Sequence, residues 1–355
     1  MNNNMIPNPS DAEPAFRLAI VGAGLITRNT HVPNALSIPG IRVIAIVDPV
    51  VERARALVED YGLDARAITD SRDLIGMCDG AVIATPNHTH RDVAVPLLAT
   101  GISTLIEKPI ATTVAEAHEI LAAASQGKSK VALGHYQRFL DGPRLLSRLL
   151  RDRYFGRVHR FYHQFGTAGG WPAMSAYTLR RSSIGGGVLV VTGTHFLDRL
   201  LWMWGMPDSV SLTDDAAEGP ESHCEAQVAW NRPESGMLSG VMRYSKCVPL
   251  PAGLVLETDA GVVMLRDGFN DRITVFDSGK HGIRSEIIGS SDACFPEGFD
   301  PSQRMLWDFV DACRNDRDPE VDGAQALLLM ELLQRFYEHR SALPSRWESF
   351  AGEIQ

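Results

Sequence analysis

A lysine stands at the end of an apolar run, Leu105-Ile106, in the triplet Glu107-Lys108-Pro109. A parallel strand there would deliver Lys108 to the carboxyl edge of a sheet, where ligands bind in open α/β folds. Earlier in the chain another apolar run, Leu18-Ala19-Ile20-Val21, leads into Gly22-Ala23-Gly24-Leu25-Ile26-Thr27 and then a helix-like stretch. Glycines so placed make a tight turn and let backbone amides approach a pyrophosphate at a helix N-terminus. Gly22, Gly24, Leu25 and Ile26 are therefore cofactor-binding candidates. Thr27 occupies the third glycine position of the full fingerprint, which predicts looser helix–strand packing. Asp48 closes the next apolar run, placed to accept from both ribose hydroxyls and to repel a 2′-phosphate. NAD is favoured over NADP, which Arg53 nearby leaves open. Thr85, Pro86 and Asn87 follow a further apolar run and belong at the same edge, with His90 and Glu107 as cofactor-edge candidates. His88 reads as a solvated helix start. A cofactor turn plus a strand-end lysine is the equipment of a hydride-transfer enzyme.

These residues need a sheet to hold them. Apolar runs at 17–21, 41–47, 80–84, 103–106 and 130–134 read as buried parallel strands, and 50–61 and 90–100 as helices between them. Such alternation marks a doubly wound parallel sheet, a Rossmann domain over 16–139. Beyond Arg138 the pattern changes. Helical periodicity appears at 142–152 and 194–204, and strand-length segments broken by turns such as Asp259-Ala260-Gly261 fill 208–288. Two helices, 301–314 and 322–341, close the chain. The expected class is α/β: an N-terminal Rossmann sheet plus a C-terminal α+β domain, 140–355, with a large, mostly antiparallel sheet. Residues 1–15 read as a disordered tail without the basic and apolar regions of a signal peptide.

With 355 residues the chain suggests two domains, and its formal charge of −9 argues against nucleic acid or an anionic membrane as partner. No apolar stretch approaches the ~20 residues that span a bilayer. The five cysteines are odd in number, scattered and without a C-x-x-C pair, which fits free thiols in a reducing cytoplasm. The histidines form no H-E-x-x-H motif and no Cys/His cluster, so no metal is expected.

Gly22-Ala23-Gly24, Thr85-Pro86-Asn87-His88-Thr89-His90, Glu107-Lys108-Pro109 and Gly185-Gly186-Gly187 leading to His195 resemble the Gfo/Idh/MocA family of oxidoreductases, in the family's order over nearly the whole chain. The resemblance implies a Rossmann domain joined to an open-faced sheet domain, with a sugar, cyclitol or related hydroxylated ring, ring acids included, between them. It also implies homodimers or homotetramers. Lys108 matches the family's lysine beside the reacting oxygen, which a cation would polarise. His195 matches its proton-accepting histidine. Asn87 is placed to orient the nicotinamide edge, and Tyr136 and Arg138 fall in the segment linking the domains, as substrate-cleft residues. One position departs from the family: the Asp commonly found four residues before the histidine is Val191. Thr192 or Thr194 is a substitute bond to a substrate hydroxyl, and Asp198 reads as structural.

Arg181, after Arg180, is a candidate for a substrate carboxylate or phosphate, against the plainer reading of a solvated arginine. Trp171, with Tyr177 and His163, is a candidate cleft rim, where an aromatic face suits a sugar ring; core packing is an equal reading for Trp171. Together these features predict an NAD-dependent dehydrogenase acting on a ring alcohol or ketone. The alternatives are a non-catalytic dinucleotide-binding sensor, which Val191 makes conceivable, and redox-neutral glycoside cleavage through transient oxidation.

Overall fold

The computed structural model describes residues 14–169, 180–217, 219–232, 236–266, 272–277, 279, 284–289 and 294–343. The sequence candidates Trp171 and Tyr177 lie outside them. Strands β1 (Phe16–Val21), β2 (Ile41–Val47), β3 (Arg66–Ile68), β4 (Gly80–Ile83), β5 (Ser103–Ile106) and β6 (Val131–Leu133) form an all-parallel sheet ordered β3-β2-β1-β4-β5-β6. Helices α1 (Val32–Ser37), α2 (Val51–Asp60), α3 (His90–Ala99) and α4 (Val114–Gly127) connect its strands. Ala19, Ile20, Val82, Ile83 and Ile106 are fully buried, as expected of strands covered on both faces. α4 starts at a reciprocal Thr113–Glu116 capping box, which satisfies two otherwise orphaned amides. Strand order reverses between β1 and β4, opening a crevice at their carboxyl ends.

Helices α5 (Asp141–Arg151), α6 (Arg181–Ile184) and α7 (Thr194–Trp204) follow. With strand β7 (Val158–Gly166), they lead into β8 (Ser209–Asp214), β9 (His223–Arg232), β10 (Gly236–Ser245), β11 (Leu250–Thr258), β12 (Gly261–Arg266), β13 (Arg272–Asp277) and β14 (Arg284–Ile288). Helices α8 (Pro301–Arg314) and α9 (Gly323–Glu338) precede the short β15 (Arg340–Ala342). The second sheet runs β14-β13-β12-β11-β7-β10-β9-β8-β15 and is antiparallel except at β7–β10 and β8–β15. Alternation gives it two unlike faces. Phe161, Met242 and Tyr244 are buried on one, where the Phe161 ring stacks on Trp204 of α7 at 4.9 Å, while Tyr162 and Met237 are exposed on the other.

The fold class read from the sequence is the one observed, a Rossmann sheet beside a large, mostly antiparallel one. Three strands escaped that reading. β3 has three residues, as has β15, which takes the place of the last turn expected of a helix over 322–341, α9 ending at Glu338; β7 reads Val-His-Arg-Phe-Tyr-His-Gln-Phe-Gly, too polar to stand out although it sits inside the sheet. α8 lies in the part of the chain grouped with the second domain, yet it packs on the first sheet, with Phe309 set edge-on to Phe16 at 6.2 Å. Leu133 N donates to Val321 O, so the closing segment also ties to the end of β6.

Candidate active site

The glycine turn leaves β1 at the crevice. Gly22 has φ +101°, and a Cβ there would sit 2.4 Å from Ala84 O at the end of β4, so a side chain is excluded by both conformation and contact. At Gly24 a Cβ would meet nothing within 4 Å, and Leu25 and Ile26 beside it are exposed apolar side chains at the start of the helix. Open space over a helix start next to exposed apolar groups fits a dinucleotide pyrophosphate. Asp48 is buried and holds the turn: Oδ2 accepts from Ala23 N at 2.9 Å and Oδ1 from Val50 N at 2.9 Å. A carboxylate offers about four acceptor sites, so capacity for ribose hydroxyls remains.

Thr27 corrects one expectation. It is fully buried and donates through its hydroxyl to Gly22 O at 2.5 Å, so the missing glycine leaves no looseness. Thr27–His31 form a π-helical turn ahead of α1, and its last residue, buried His31, places Nε2 at 2.9 Å from Glu107 Oε1. Burial works against the Glu107 charge, but the His31 bond and the Lys108 ammonium hold its carboxyl below the usual range. Glu107 is thus occupied inside the protein rather than turned to a cofactor. His90 also departs from its expected place. It is fully buried, with Nδ1 at 2.9 Å from Pro109 O and Nε2 at 2.9 Å from Thr85 O. It ties β4's end to the segment after β5 and cannot reach the crevice; burial pushes its pKa down. Thr85 Oγ1 accepts from Thr89, and Asn87 Nδ2 donates to Ile184 O at 3.2 Å, bridging to α6. Thr85, Pro86 and Asn87 are each half-buried at the edge.

Lys108 is half-buried, and its Nζ donates to Val191 O at 2.7 Å. The acceptor at the departed position is therefore a backbone carbonyl. Leu189–Gly193 form a second π-helical turn directly before α7, and such turns widen the helix and recur at functional sites. Burial, opposed by Glu107 and reinforced by the like charge of Lys246, lowers the Lys108 pKa. His195, half-buried in the first turn of α7, meets the Tyr136 ring edge-on at 5.4 Å and His135 at 6.0 Å. Its Nδ1 is buried without a partner, so Nε2 is the nitrogen open to the cleft. Burial, then the Lys108 charge, drives its pKa well below the ordinary value, leaving a neutral imidazole.

The triple glycine owes its composition to packing. A Cβ on Gly186 would sit 2.1 Å from Tyr337 Oη, and one on Gly187 2.3 Å from Glu221 O. The close approach lets buried Glu221 Oε1 accept from Gly187 N at 2.9 Å, Leu189 N at 3.1 Å and Tyr337 Oη at 2.8 Å. Glu221 thereby fixes the start of the turn that presents Val191.

Other candidates are placed differently from expectation. Arg138 is buried and forms a fork with Asp198, Nε at 2.7 Å and Nη2 at 3.0 Å, its guanidinium 5.0 Å over Trp202. It braces the linker against α7 rather than offering a fork to substrate. Arg181 lies 4.6 Å over the Tyr337 ring, which uses its face in a cation–π contact. Tyr136 is exposed at the cleft, and Thr192 is half-buried on the π-helical turn. Thr194 is fully buried and bonds Val190 O. His163 is buried under the sheet, 3.1 Å from Tyr244 Oη, and does not rim the cleft. Sequence reading missed His31, His135 and Glu221. Only His135 carried a local signal, its place beside Tyr136. Among the described residues no group of three or more His, Cys, Asp or Glu is arranged to hold a metal, all five cysteines are free thiols, and no helix is long and apolar enough to cross a membrane.

Comparison with known proteins agrees with this fold. Residues 16–135 match the model of an oxidoreductase family with an NAD-binding Rossmann fold, GFO_IDH_MocA. A putative UDP-kanosamine synthase oxidoreductase subunit from Amycolatopsis mediterranei is 32% identical over 191 residues, 54% of this chain and 52% of that protein. The chain thus spans about half the length of that relative. A 1,5-anhydro-D-fructose reductase from Ensifer adhaerens is 24% identical over 77% of this chain and 75% of its own. The crystal structure of an aldose-aldose oxidoreductase from Caulobacter crescentus superposes with a TM-score of 0.78 at 20% identity, covering 92% of this chain and 97% of that one. The Rossmann domain of the chain, residues 16–135, is thus that of the Gfo/Idh/MocA family of oxidoreductases.

Proposed function

We propose that the chain is an NAD-dependent dehydrogenase acting between a secondary alcohol and a ketone of a sugar, cyclitol or related hydroxylated ring. One observation carries this reading. Lys108 sits at the carboxyl edge of the Rossmann sheet, 2.7 Å from the carbonyl of the π-helical turn that leads into His195. The relatives named as reductases and oxidoreductases of sugars support the substrate class. Gly22, Gly24, Leu25, Ile26, Asp48 and the Thr85–Asn87 edge would hold the dinucleotide. When bound, NAD supplies the hydride acceptor. The Lys108 ammonium polarises the reacting oxygen and stabilises negative charge as it develops, a contribution that grows where water is excluded. Neutral His195 accepts the hydroxyl proton at Nε2 during oxidation and returns it during reduction. Tyr136 and Thr192 line the substrate side. The exposed apolar residues on the open face of the second sheet, Tyr162, Met237, Phe276 and Ile288 among them, support self-association as a dimer or tetramer. The five free thiols support a cytoplasmic setting.

Lys108→Met tests the assignment. With a ring polyol identified from an NADH-absorbance screen, kcat should fall by about 100- to 1,000-fold. The affinity for NAD, measured by calorimetry, should stay within about threefold, because the glycine turn and Asp48 are untouched. Full activity in Lys108→Met would overturn the reading.

A further inference from the structure

A cavity of about 600 Å³ opens at the end of the second sheet remote from the cleft. β10 runs between the two places. Near its exit the Tyr244 ring lies against the π-helical turn Leu189–Gly193, 3.0 Å from where a Cβ on Gly193 would sit. At its start Gly236 and Leu238 line the cavity. The rise of a strand puts roughly 25 Å between Gly236 and Tyr244. The end of α5, the entry to β7, the last residues of α7 and the facing ends of β9 and β10 close around the hollow. Its volume falls within the ~300–1,000 Å³ of sites that hold small molecules.

The lining is cationic in an acidic chain. Arg151, Arg153, Arg157 and Arg232 all face the cavity, although the formal charge of the whole chain is −9. Asp259 is the one acid among the described lining residues, and it is taken: Oδ2 accepts from Arg157 N at 2.7 Å, and Oδ1 lies 2.7 Å from His159 Nε2. Arg157 has contacts of its own within the protein, and a Cβ on Gly236, where φ is +75°, would sit 3.1 Å from its Nη1. Arg232 is half-buried, and its Nη2 donates to Trp204 O at 2.8 Å, which pins the guanidinium at the end of α7 and leaves its other N–H groups for a further acceptor. Arg151 and Arg153 are exposed and make no ion pair among the described residues, not even with Asp152 between them. The other side of the cavity is apolar, with Trp204, Met203 and Leu238. The Trp204 ring is stacked on Phe161 at 4.9 Å and so is held in place.

We propose that this cavity binds a small phosphorylated molecule, its phosphate held by Arg151, Arg153 and Arg232 and its organic part laid against Trp204. Guanidinium groups present planar forks that match phosphate oxygens two at a time. Arginines gathered from three elements around one hollow suit a doubly charged phosphate ester better than a single carboxylate. An aromatic ring fixed beside them suits a ligand with an apolar or planar portion. The site is separate from the glycine turn and from Lys108, and it stands whether or not the dehydrogenase reading holds.

Calorimetric titration of the NAD-saturated protein with phenyl phosphate and with inorganic phosphate tests the proposal. Saturation with NAD keeps both probes from the pyrophosphate position at the glycine turn. At low ionic strength phenyl phosphate should bind with a Kd of about 1 mM or tighter. It should bind about 3- to 10-fold more tightly than inorganic phosphate, because only the ester has a ring to lay on Trp204. The double variant Arg151→Met with Arg153→Met should weaken phenyl phosphate by about 10- to 100-fold, through the loss of two charge-assisted donors. Both side chains are exposed, so the variant should keep the wild-type melting temperature and NAD affinity. Absence of phenyl phosphate binding, inorganic phosphate binding as tightly as the ester, or affinity unchanged in the double variant would each overturn the proposal.

Discussion

The two walls of the cleft treat their buried polar groups in opposite ways. On the cofactor wall Thr27, His31, Asp48, His90 and Glu107 are each bonded within the protein, at 2.5 to 2.9 Å. On the substrate wall both ring nitrogens of His135, Nδ1 of His195, Nη1 of Arg138 and Oε2 of Glu221 are buried without a partner. Buried polar groups are usually paired, so a cluster of exceptions needs a reason. These groups of the first wall are complete as they stand; their job is to hold a turn and an edge at fixed places for a ligand that barely varies. The second is completed by what binds there, whether water or the hydroxyls of a substrate. Pre-organisation and responsiveness are thus divided between the cofactor edge and the substrate side of the cleft, and Lys108 spans the division.

The sharpest way to break this contrast is to strip the substrate wall of its Arg138–Asp198 ion pair. Arg138→Met leaves the Asp198 carboxylate buried without a counter-charge, and stability to urea should fall by about 3 to 5 kcal/mol. The double variant Arg138→Met with Asp198→Leu should recover most of that, because well-packed apolar groups of similar volume replace buried ion pairs at little cost. A small loss in the single variant would mean that the wall tolerates unpaired charge as readily as unpaired nitrogen.

How much of each wall was legible from the sequence follows from the same division. The cofactor wall is local. Gly22, Asp48, Asn87 and Lys108 each end an apolar strand, and β2 and β5 were read with the bounds the structure gives them. The substrate wall is assembled across long separations. The helix over 194–204 was legible to the residue from its periodicity, and so was α8. What those patterns could not reveal is that Glu221 reaches back to Gly187, or that β10 pairs in parallel with β7. His90 and Arg138 looked functional because they occupy conspicuous motifs; burial turns both into braces. Val191 looked like a lost acid, and only the helical distortion at Leu189–Gly193 shows that its carbonyl still accepts from Lys108.

A smaller effect should appear as a pH dependence of stability. Burial lowers the pKa of His135 in the folded protein, with Asp198 opposing and Lys108 reinforcing the shift. The unfolded imidazole takes its proton near ~6.5, while the folded one stays neutral to lower pH. Between those two values the unfolded chain binds more protons, so stability falls as pH drops below ~6.5, by up to about 1.4 kcal/mol per pH unit for each such group. His90 and His195 are shifted in the same direction and add to the slope. Urea melts from pH 7.5 to 5.5 should show a shallower acid loss in His135→Phe than in the wild type. Parallel curves would show that His135 is protonated in the folded state, and hence that its ring nitrogens are not free of partners.

The smallest expected effect bears most directly on the seam between the walls. Val191→Asp restores a carboxylate one helical turn before His195, within the neighbourhood of the Lys108 ammonium. The added charge opposes the desolvation that lowers the Lys108 pKa, so the basic limb of the pH–kcat/KM profile should move to higher pH. The same carboxylate would favour protonation of His195, moving the acid limb upward as well. The two shifts partly cancel near neutrality, and kcat at pH 7 should change by no more than about fivefold, well short of the ~100-fold or more that a missing acid/base group costs. A gain of 100-fold would mean that the Val191 carbonyl is a poor stand-in and that the wild-type site is impaired. A change confined to the limbs would mean that a backbone acceptor, exposed by the π-helical turn, already does for Lys108 what the carboxylate does elsewhere. In that case the substrate wall has exchanged a fixed negative charge for a neutral dipole without loss of the acceptor that holds Lys108.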